Sequence, residues 1–285
     1  MSEASIESID DFRVRVRNWM RENLETKGTG ILETDADRRR ELDRQLQHKL
    51  FDAGFAGIAV PSEYGGAGLT LEHQRIWAQE AIQYEVPRGF MVSIGMLVPT
   101  LLDHASEEIK KRHIPRMLAG DEHWIQLLSE PSGGSDMAGI LTRATKVDDT
   151  WVVNGSKMWS SAAIWADYGL CLAREDWNAP KHAGLGMFAI PLKTPAVTIE
   201  PIVPASEEPV HFFTEYIDDL VIPSEYRVGG DGEGWAVAQR LLYHERNATA
   251  GVGYGSGLGG GSSDGKSSWK LDVHKLADSH GSLTD

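Results

Sequence analysis

Cysteine is almost missing from this chain: Cys171 stands alone among 285 residues. An internal disulfide framework and a cysteine-based zinc site are therefore both excluded. Long hydrophobic runs are missing too, since no apolar stretch approaches the ~20 residues that span a bilayer. The opening Met1-Ser2-Glu3 is acidic and polar and lacks the charged-then-apolar order of a signal peptide, so a cytoplasmic protein without a membrane span is expected. Positive charge is scarce: Lys and Arg total 28 against 42 Asp and Glu, for a net charge of −14. A general binder of nucleic acid or anionic membranes carries a basic face, so no nucleic-acid partner is expected; a local basic pocket for a phosphorylated ligand stays compatible. The ten histidines show no H-E-x-x-H or comparable spacing, which predicts no metal site. No G-x-S-x-G elbow supports a Ser-His-Asp triad. The sequons at Asn154 and Asn247 carry little weight without a secretory signal.

What is present describes a packed globular protein. Hydrophobic residues make up 41% of the chain and nine are Trp, enough at this length to bury roughly three quarters of the unfolded surface. The first ~120 residues carry helical periodicity. Phe12, Val16, Trp19, Met20 and Leu24 form one stripe at 3.6-residue spacing. Leu42, Leu46, Leu50 and Ala53 repeat it, with Arg38, Arg39, Asp43 and Arg44 available for the wet side. After the helix-breaking Pro61–Gly68 segment, helical patterns resume over 71–84, 91–103 and 107–118, the last closed by Gly120 as a left-handed cap. From Trp124 the texture changes to short β-forming runs. Asn154-Gly155 between two such runs predicts a hairpin turn. Further strands are expected over 168–172, 186–190, 197–202 and 210–216, then a helix over 234–250 on which Trp235, Ala238, Leu241, Leu242 and Glu245 share a helical spacing. Helices, then strands, then helix is an α+β order with segregated elements.

Four segments bear on chemistry. In Leu127-Leu-Ser-Glu-Pro-Ser-Gly-Gly-Ser-Asp136, proline and paired glycines force a turn lined with hydroxyls. Such a turn can cradle an anion or a flat heterocycle, or it is an ordinary surface loop. Trp159-Ser160-Ser161 suits stacking beside an aromatic ring system, or is a core Trp at a strand end. Glu245-Arg246 offers a general base and a phosphate partner if desolvated, or a solvated charge pair. Gly255-Ser-Gly-Leu-Gly-Gly260 satisfies G-x-G-x-x-G formally, but a helix precedes it where the nucleotide-binding version needs a strand. A flexible linker is the better reading.

In order along the chain, these pieces resemble the acyl-CoA dehydrogenase family of flavoproteins. The resemblance runs through Gly54-Phe-Ala-Gly-Ile-Ala-Val-Pro-Ser-Glu-Tyr-Gly-Gly-Ala-Gly68, Leu128-Ser-Glu-Pro-Ser-Gly-Gly-Ser-Asp136, Thr142-Arg143-Ala144 and Asn154-Gly-Ser-Lys-Met-Trp159. It continues through Ala166-Asp167, Ile217-Asp-Asp-Leu-Val-Ile-Pro223, 229–235 and His244-Glu245-Arg246. It implies an N-terminal all-α helical domain over 1–122 and a central β-barrel-like or β-sandwich domain over 123–232. The start of a C-terminal helical bundle follows over 233–285, with 269–283 as one bundle helix and most of the bundle lacking. It also implies FAD between the β domain and the bundle. Gln126, Leu127, Leu128, Ser129, Gly134 and Ser135 match the family's first flavin-contacting stretch, and Trp159, Ser160 and Ser161 the second. Ser135, Tyr243 and Arg246 match substrate-contacting positions.

The reaction implied is α,β-dehydrogenation of an acyl-CoA thioester to the trans-2-enoyl-CoA, with electrons leaving to an electron-transfer flavoprotein. Glu245 occupies the position where some members carry the catalytic base; most carry it on a later helix. Two alternatives accompany this reading. One is a truncated or non-catalytic subunit in a homo- or hetero-oligomer with a family homologue; the other is an oxidase that uses oxygen.

Overall fold

The computed structural model describes residues 6–27, 35–203, 205 and 211–258; the expected bundle helix over 269–283 lies outside these residues. Helix α1 (Ile9–Asn23) starts where the Ser8 side chain accepts the Asp11 N–H, and acidic Asp10 and Asp11 fill its first turn, where the helix dipole favours negative charge. Its predicted stripe is buried: Phe12, Val16 and Met20 are fully enclosed, each contributing about 1.5–3 kcal/mol of transfer free energy. They face α3 (Leu71–Ala81).

Helix α2 (Ala36–Asp52) forms as expected but is rotated about its axis from the predicted stripe. Asp43, assigned to water, is buried with Gln47 and Leu50, whereas Leu42 is 39% exposed. Tertiary partners make polar burial tolerable. Gln47 Nε2 donates to the Leu118 carbonyl at 2.7 Å, on α5 (Glu107–Ala119), and Asp43 pairs with Arg39 at 3.1 Å. The helix over 91–103 is two pieces, a π-helical segment Met91–Leu97 running into α4 (Val98–His104). Gly120 closes α5 with φ +87°, as its missing Cβ allows.

The strands are β1 (Trp124–Leu127), β2 (Arg143–Val147), β3 (Thr150–Ser161), β4 (Tyr168–Arg174), β5 (Leu185–Pro191), β6 (Val197–Pro201), β7 (Phe212–Pro223) and β8 (Arg227–Val228). They make one eight-stranded mixed sheet in the order β6-β7-β3-β2-β4-β5-β8, with β1 parallel to β4. Asn154-Gly155 is not a hairpin turn. Both residues lie inside β3, at a register shift against β7 between Val153 and Gly155. Gly155 sits at φ +149°, and a Cβ there would come within 2.5 Å of Thr142 Oγ1. Asn154 exchanges hydrogen bonds with Asp219, itself at φ +46°. The dipeptide supplies a β-bulge; the turn lies before it at Asp148, φ +50°, between β2 and β3.

Helix α6 (Gly234–Thr249) returns the chain to the helical layer. Arg240 Nε and His244 Nε2 both reach Asp103 Oδ2 on α4, at 2.5 and 2.9 Å. Burial would raise the Asp103 carboxyl, but these two partners hold it below its usual range. The described part of the glycine run is no flexible linker. Gln74 Nε2 donates to the Ser256 carbonyl at 2.6 Å, and a Cβ on Gly95 would lie 2.8 Å from Gly255 Cα. Glycine is used there for close approach between backbones.

Candidate active site

One cleft of about 400 Å³ opens between the sheet, the π-helical segment and α6, a volume within the usual range for small-molecule sites. Its β wall comes from the end of β1, the loop that follows, and the end of β3. Gln126, Leu128, Ser129, Gly134 and Ser135 line it together with Trp159, Ser160 and Ser161. Two stretches some thirty residues apart in sequence thus meet because β3 crosses the start of the loop, where the Met158 N–H donates to the Ser129 carbonyl at 3.0 Å. Leu127 does not reach the cleft. Strand alternation turns it into the apolar core of the β domain, where it is fully buried.

Trp159 is the most distorted residue of this wall. Two residues of β3 oppose one of β7 at this point, and Trp159 takes φ +67°. Left-handed backbone is costly for a bulky side chain, on the order of 1–3 kcal/mol, and such strain concentrates at functional positions. Its effect is to turn the indole out of the core: the residue is 55% exposed, its ring edge-on to Phe212 at 6.0 Å. The alternative of a core Trp at a strand end is overturned.

The loop is anchored from below. Glu130 accepts N–H bonds from Leu141 and Thr142 at 2.6 and 3.0 Å and the Lys157 ammonium at 2.8 Å. Lys157 also donates to the Leu128 carbonyl at 3.2 Å. Burial works to raise the Glu130 carboxyl, but Lys157 and the N–H donors outweigh it and hold it low. Above this ion pair, the exposed turn carries Gly134 and Ser135 to the cleft. A Cβ on Gly134 would meet only Ser129 Oγ, at 3.8 Å, so the missing side chain leaves that space to a ligand.

The opposite wall is α6, with Trp235, Leu242 and Glu245 on one stripe. Glu245 is half-buried and accepts a hydrogen bond from Gln126 Nε2 at 3.1 Å, while Gln126 Oε1 is buried with no partner among the described residues. The pair joins the two walls and overturns the reading of Glu245 as a solvated charge. Tyr243 and Arg246 are not brought into the cleft. Each follows a cleft-lining residue by one position, about 100° around the helix. Tyr243 is 48% exposed with Arg240 over its ring at 4.7 Å, and Arg246 is exposed. Val92, Met137 and Met158 also line the cleft and were not singled out by sequence. Nothing local distinguishes them from core residues, although the Trp235–Leu242–Glu245 spacing was a usable signal for the helical wall.

Residues 7–121 match the family model described as acyl-CoA dehydrogenase, N-terminal domain, and residues 126–210 that of the middle domain. The chain is 31% identical over 249 residues to acyl-CoA dehydrogenase IpdE1 of Mycobacterium tuberculosis, covering 86% of this chain and 64% of that protein. It is 35% identical over 208 residues to acyl-CoA dehydrogenase FadE34 of the same organism, covering 73% of this chain and 29% of that one. Among solved structures, the Tcur3481-Tcur3483 steroid ACAD superposes with a TM-score of 0.69 at 28% identity, covering 100% of this chain and 71% of that chain. The ChsE4-ChsE5 complex from Mycobacterium tuberculosis gives 0.65 at 27%, covering 86% and 61%. The chain spans 29% and 64% of the two curated relatives named. With both domain models matched in family order on a fold shared with these structures, the chain belongs to the acyl-CoA dehydrogenase family.

Proposed function

We propose that the cleft holds FAD and that the protein takes part in α,β-dehydrogenation of an acyl-CoA thioester. The observation that carries this is convergence: residues matched to flavin contacts from two separate stretches, and the one matched to a catalytic base, line a single cleft. The donor set fits a flat heterocycle. An outward indole at Trp159 offers a stacking face, Ser129, Ser135 and Ser161 supply hydroxyls, and Gly134 keeps backbone open to the ring. FAD, when bound, supplies the acceptor for the β-hydrogen, leaving as hydride.

In this reading Glu245 takes the α-proton. Its carboxylate already stands at the cleft wall, held by the Gln126 amide, and a substrate entering between the walls meets it directly. An α-proton beside a thioester is a weak acid, so donors to the carbonyl oxygen must stabilise the developing enolate, and closure of the cleft must exclude water from the base. Ser135, exposed at the rim, is the proposed contact to the pantetheine arm. Tyr243 and Arg246 remain proposed substrate contacts, on an exposed face of α6 beside the cleft.

A hetero-oligomer with a family homologue is favoured by two neighbours whose names pair two chains, Tcur3481-Tcur3483 and ChsE4-ChsE5. The former is named a steroid ACAD, so steroid side-chain thioesters stand beside linear acyl-CoAs as proposed substrates. An electron-transfer flavoprotein is the proposed acceptor of the electrons.

Anaerobic titration of the flavin-loaded protein with linear and steroid-derived acyl-CoAs tests the proposal. At least one thioester is expected to bleach the flavin band, and Glu245→Gln is expected to slow bleaching by at least a hundredfold. Unchanged bleaching in Glu245→Gln removes Glu245 as the base. Oxygen consumption without an electron-transfer flavoprotein would make the protein an oxidase.

A further inference from the structure

Behind the cleft lies a carboxyl group that the proposed reaction does not use. Glu215, on β7, is 0% exposed. Its Oε2 stands 3.0 Å from the hydroxyl of Ser160, a residue that lines the cleft and directly follows the bulged Trp159. Its Oε1 has no hydrogen-bond partner among the described residues.

The charged and titratable groups around it do not neutralise it. On β3 its cross-strand neighbour is Lys157, whose ammonium is turned to Glu130 Oε1 and the Leu128 carbonyl. On β6 the residue opposite is Ile199. The Cys171 thiol of β4 feels Lys157, Glu130 and Glu215, and burial pushes it up to about 11, so it stays neutral. Burial pushes the Glu215 carboxyl up to about 8, with the Ser160 hydrogen bond, its own backbone and Lys157 offsetting only part of the desolvation.

An oxygen–oxygen contact of this length allows the hydrogen to run either way, since hydrogen positions follow from the network. We infer that Glu215 is a positioning residue for the flavin cleft. As a neutral acid it donates its proton to Ser160 Oγ and frees the Ser160 hydrogen to point at the cleft's occupant. As a carboxylate it accepts that hydrogen and withdraws the donor. On ionisation the Glu215 O–H bond breaks and its proton goes to solvent; otherwise only these hydrogen bonds rearrange. The inference rests on the flavin reading of the cleft and adds to it a donor whose presence depends on pH. The side-chain amide of Gln at position 215 donates to Ser160 at any pH, which makes Glu215→Gln the informative variant.

Two measurements on the intact chain decide it: FAD affinity against pH by quenching of flavin fluorescence, and infrared spectra of the flavin-free protein. The wild type is expected to bind FAD with a dissociation constant that rises roughly tenfold as pH passes about 8, the worth of one hydrogen bond. Glu215→Gln is expected to bind with no such step. Ser160→Ala is expected to bind more weakly and also without the step. A protonated-carboxyl band, absent from Glu215→Gln, is expected to titrate over the same range in the flavin-free wild type. A pH step of equal size in wild type and Glu215→Gln would overturn the inference while leaving the flavin reading intact, as would a band already lost at pH 7. Failure of folded wild type to bind FAD at every pH would overturn the flavin reading and this inference with it.

Discussion

Glu130 and Glu215 are buried in the same β domain, one on each side of Lys157, and differ in what surrounds their oxygens. Glu130 sits where the loop after β1 folds back, so the backbone N–H groups of Leu141 and Thr142 and the Lys157 ammonium all reach it. Glu215 faces β3 from a regular stretch of β7, and among the described residues its side-chain donor is Ser160. Burial pushes both carboxyls up; Lys157 and the N–H donors bring Glu130 below its usual range, whereas Glu215 rises to about 8. The same burial thus has opposite outcomes, decided by whether a cation reaches the carboxyl, with backbone N–H donors adding to it. Glu130 anchors the loop under the cleft, and Glu215 stands behind Ser160.

The strongest attempt to break this contrast is Lys157→Met. It leaves Glu130 buried without its cation and is expected to cost about 3–5 kcal/mol of stability in urea denaturation. A loss below about 1 kcal/mol would show that the N–H cradle suffices. Gly155→Ala acts on the same side without touching charge. Its Cβ would come within 2.5 Å of Thr142 Oγ1, at a φ of +149°, displacing one of the Glu130 donors at an expected cost of about 2–3 kcal/mol. The infrared band assigned to Glu215 should not move.

Glu215→Gln carries the opposite sign. The folded carboxyl titrates near 8 and the unfolded one in the ordinary range, so between them the folded state holds the extra proton. Wild-type stability is then fully present below the unfolded pKa and falls as pH rises toward 8. Glu215→Gln lacks this slope and is expected to gain on the wild type by about 2 kcal/mol across the window, less than the full shift because an isolated buried charge draws in water. Parallel stability curves for the two proteins would contradict a neutral Glu215. The smallest effect is expected from Ser160→Ala. Loss of one hydrogen bond costs about 1 kcal/mol and should move the carboxyl band to still higher pH.

Much of the architecture was legible where local pattern and tertiary burial agree. The α1 stripe, the Gly120 cap, the strands near 168–172, 186–190 and 197–202 and α6 formed where the pattern put them. The strand expected over 210–216, whose first residue lies outside the described residues, instead runs over Phe212–Pro223, and β8 was not expected. The pattern misled where a distant partner decided. Asp43 and Gln47 are buried on α2 because α5 supplies the Leu118 carbonyl and Arg39 closes on Asp43, which no helical periodicity encodes. Asn154-Gly155 offers a backbone suited to positive φ, and turn and bulge both need one. Pairing with β7, some sixty residues later, selected the bulge.

The site divided in the same way. Its glycine–hydroxyl turn and the Trp159 triplet could be picked out from residue types that are unusual in a core. Leu127, turned inward by strand alternation, and Tyr243 and Arg246, one helical step past Leu242 and Glu245, do not line the cleft. Glu215 carried no local signal at all, since its burial is created by β3 and β6 on either side.

The measurement that bears most directly on the whole reading is titration of the purified chain with FAD, followed by flavin fluorescence, for wild type and Trp159→Ala. Saturable binding of one FAD per chain, weakened at least tenfold by loss of the outward indole, is the expected result. Absence of saturable binding by folded protein, or equal affinity in Trp159→Ala, would contradict the assignment of the cleft.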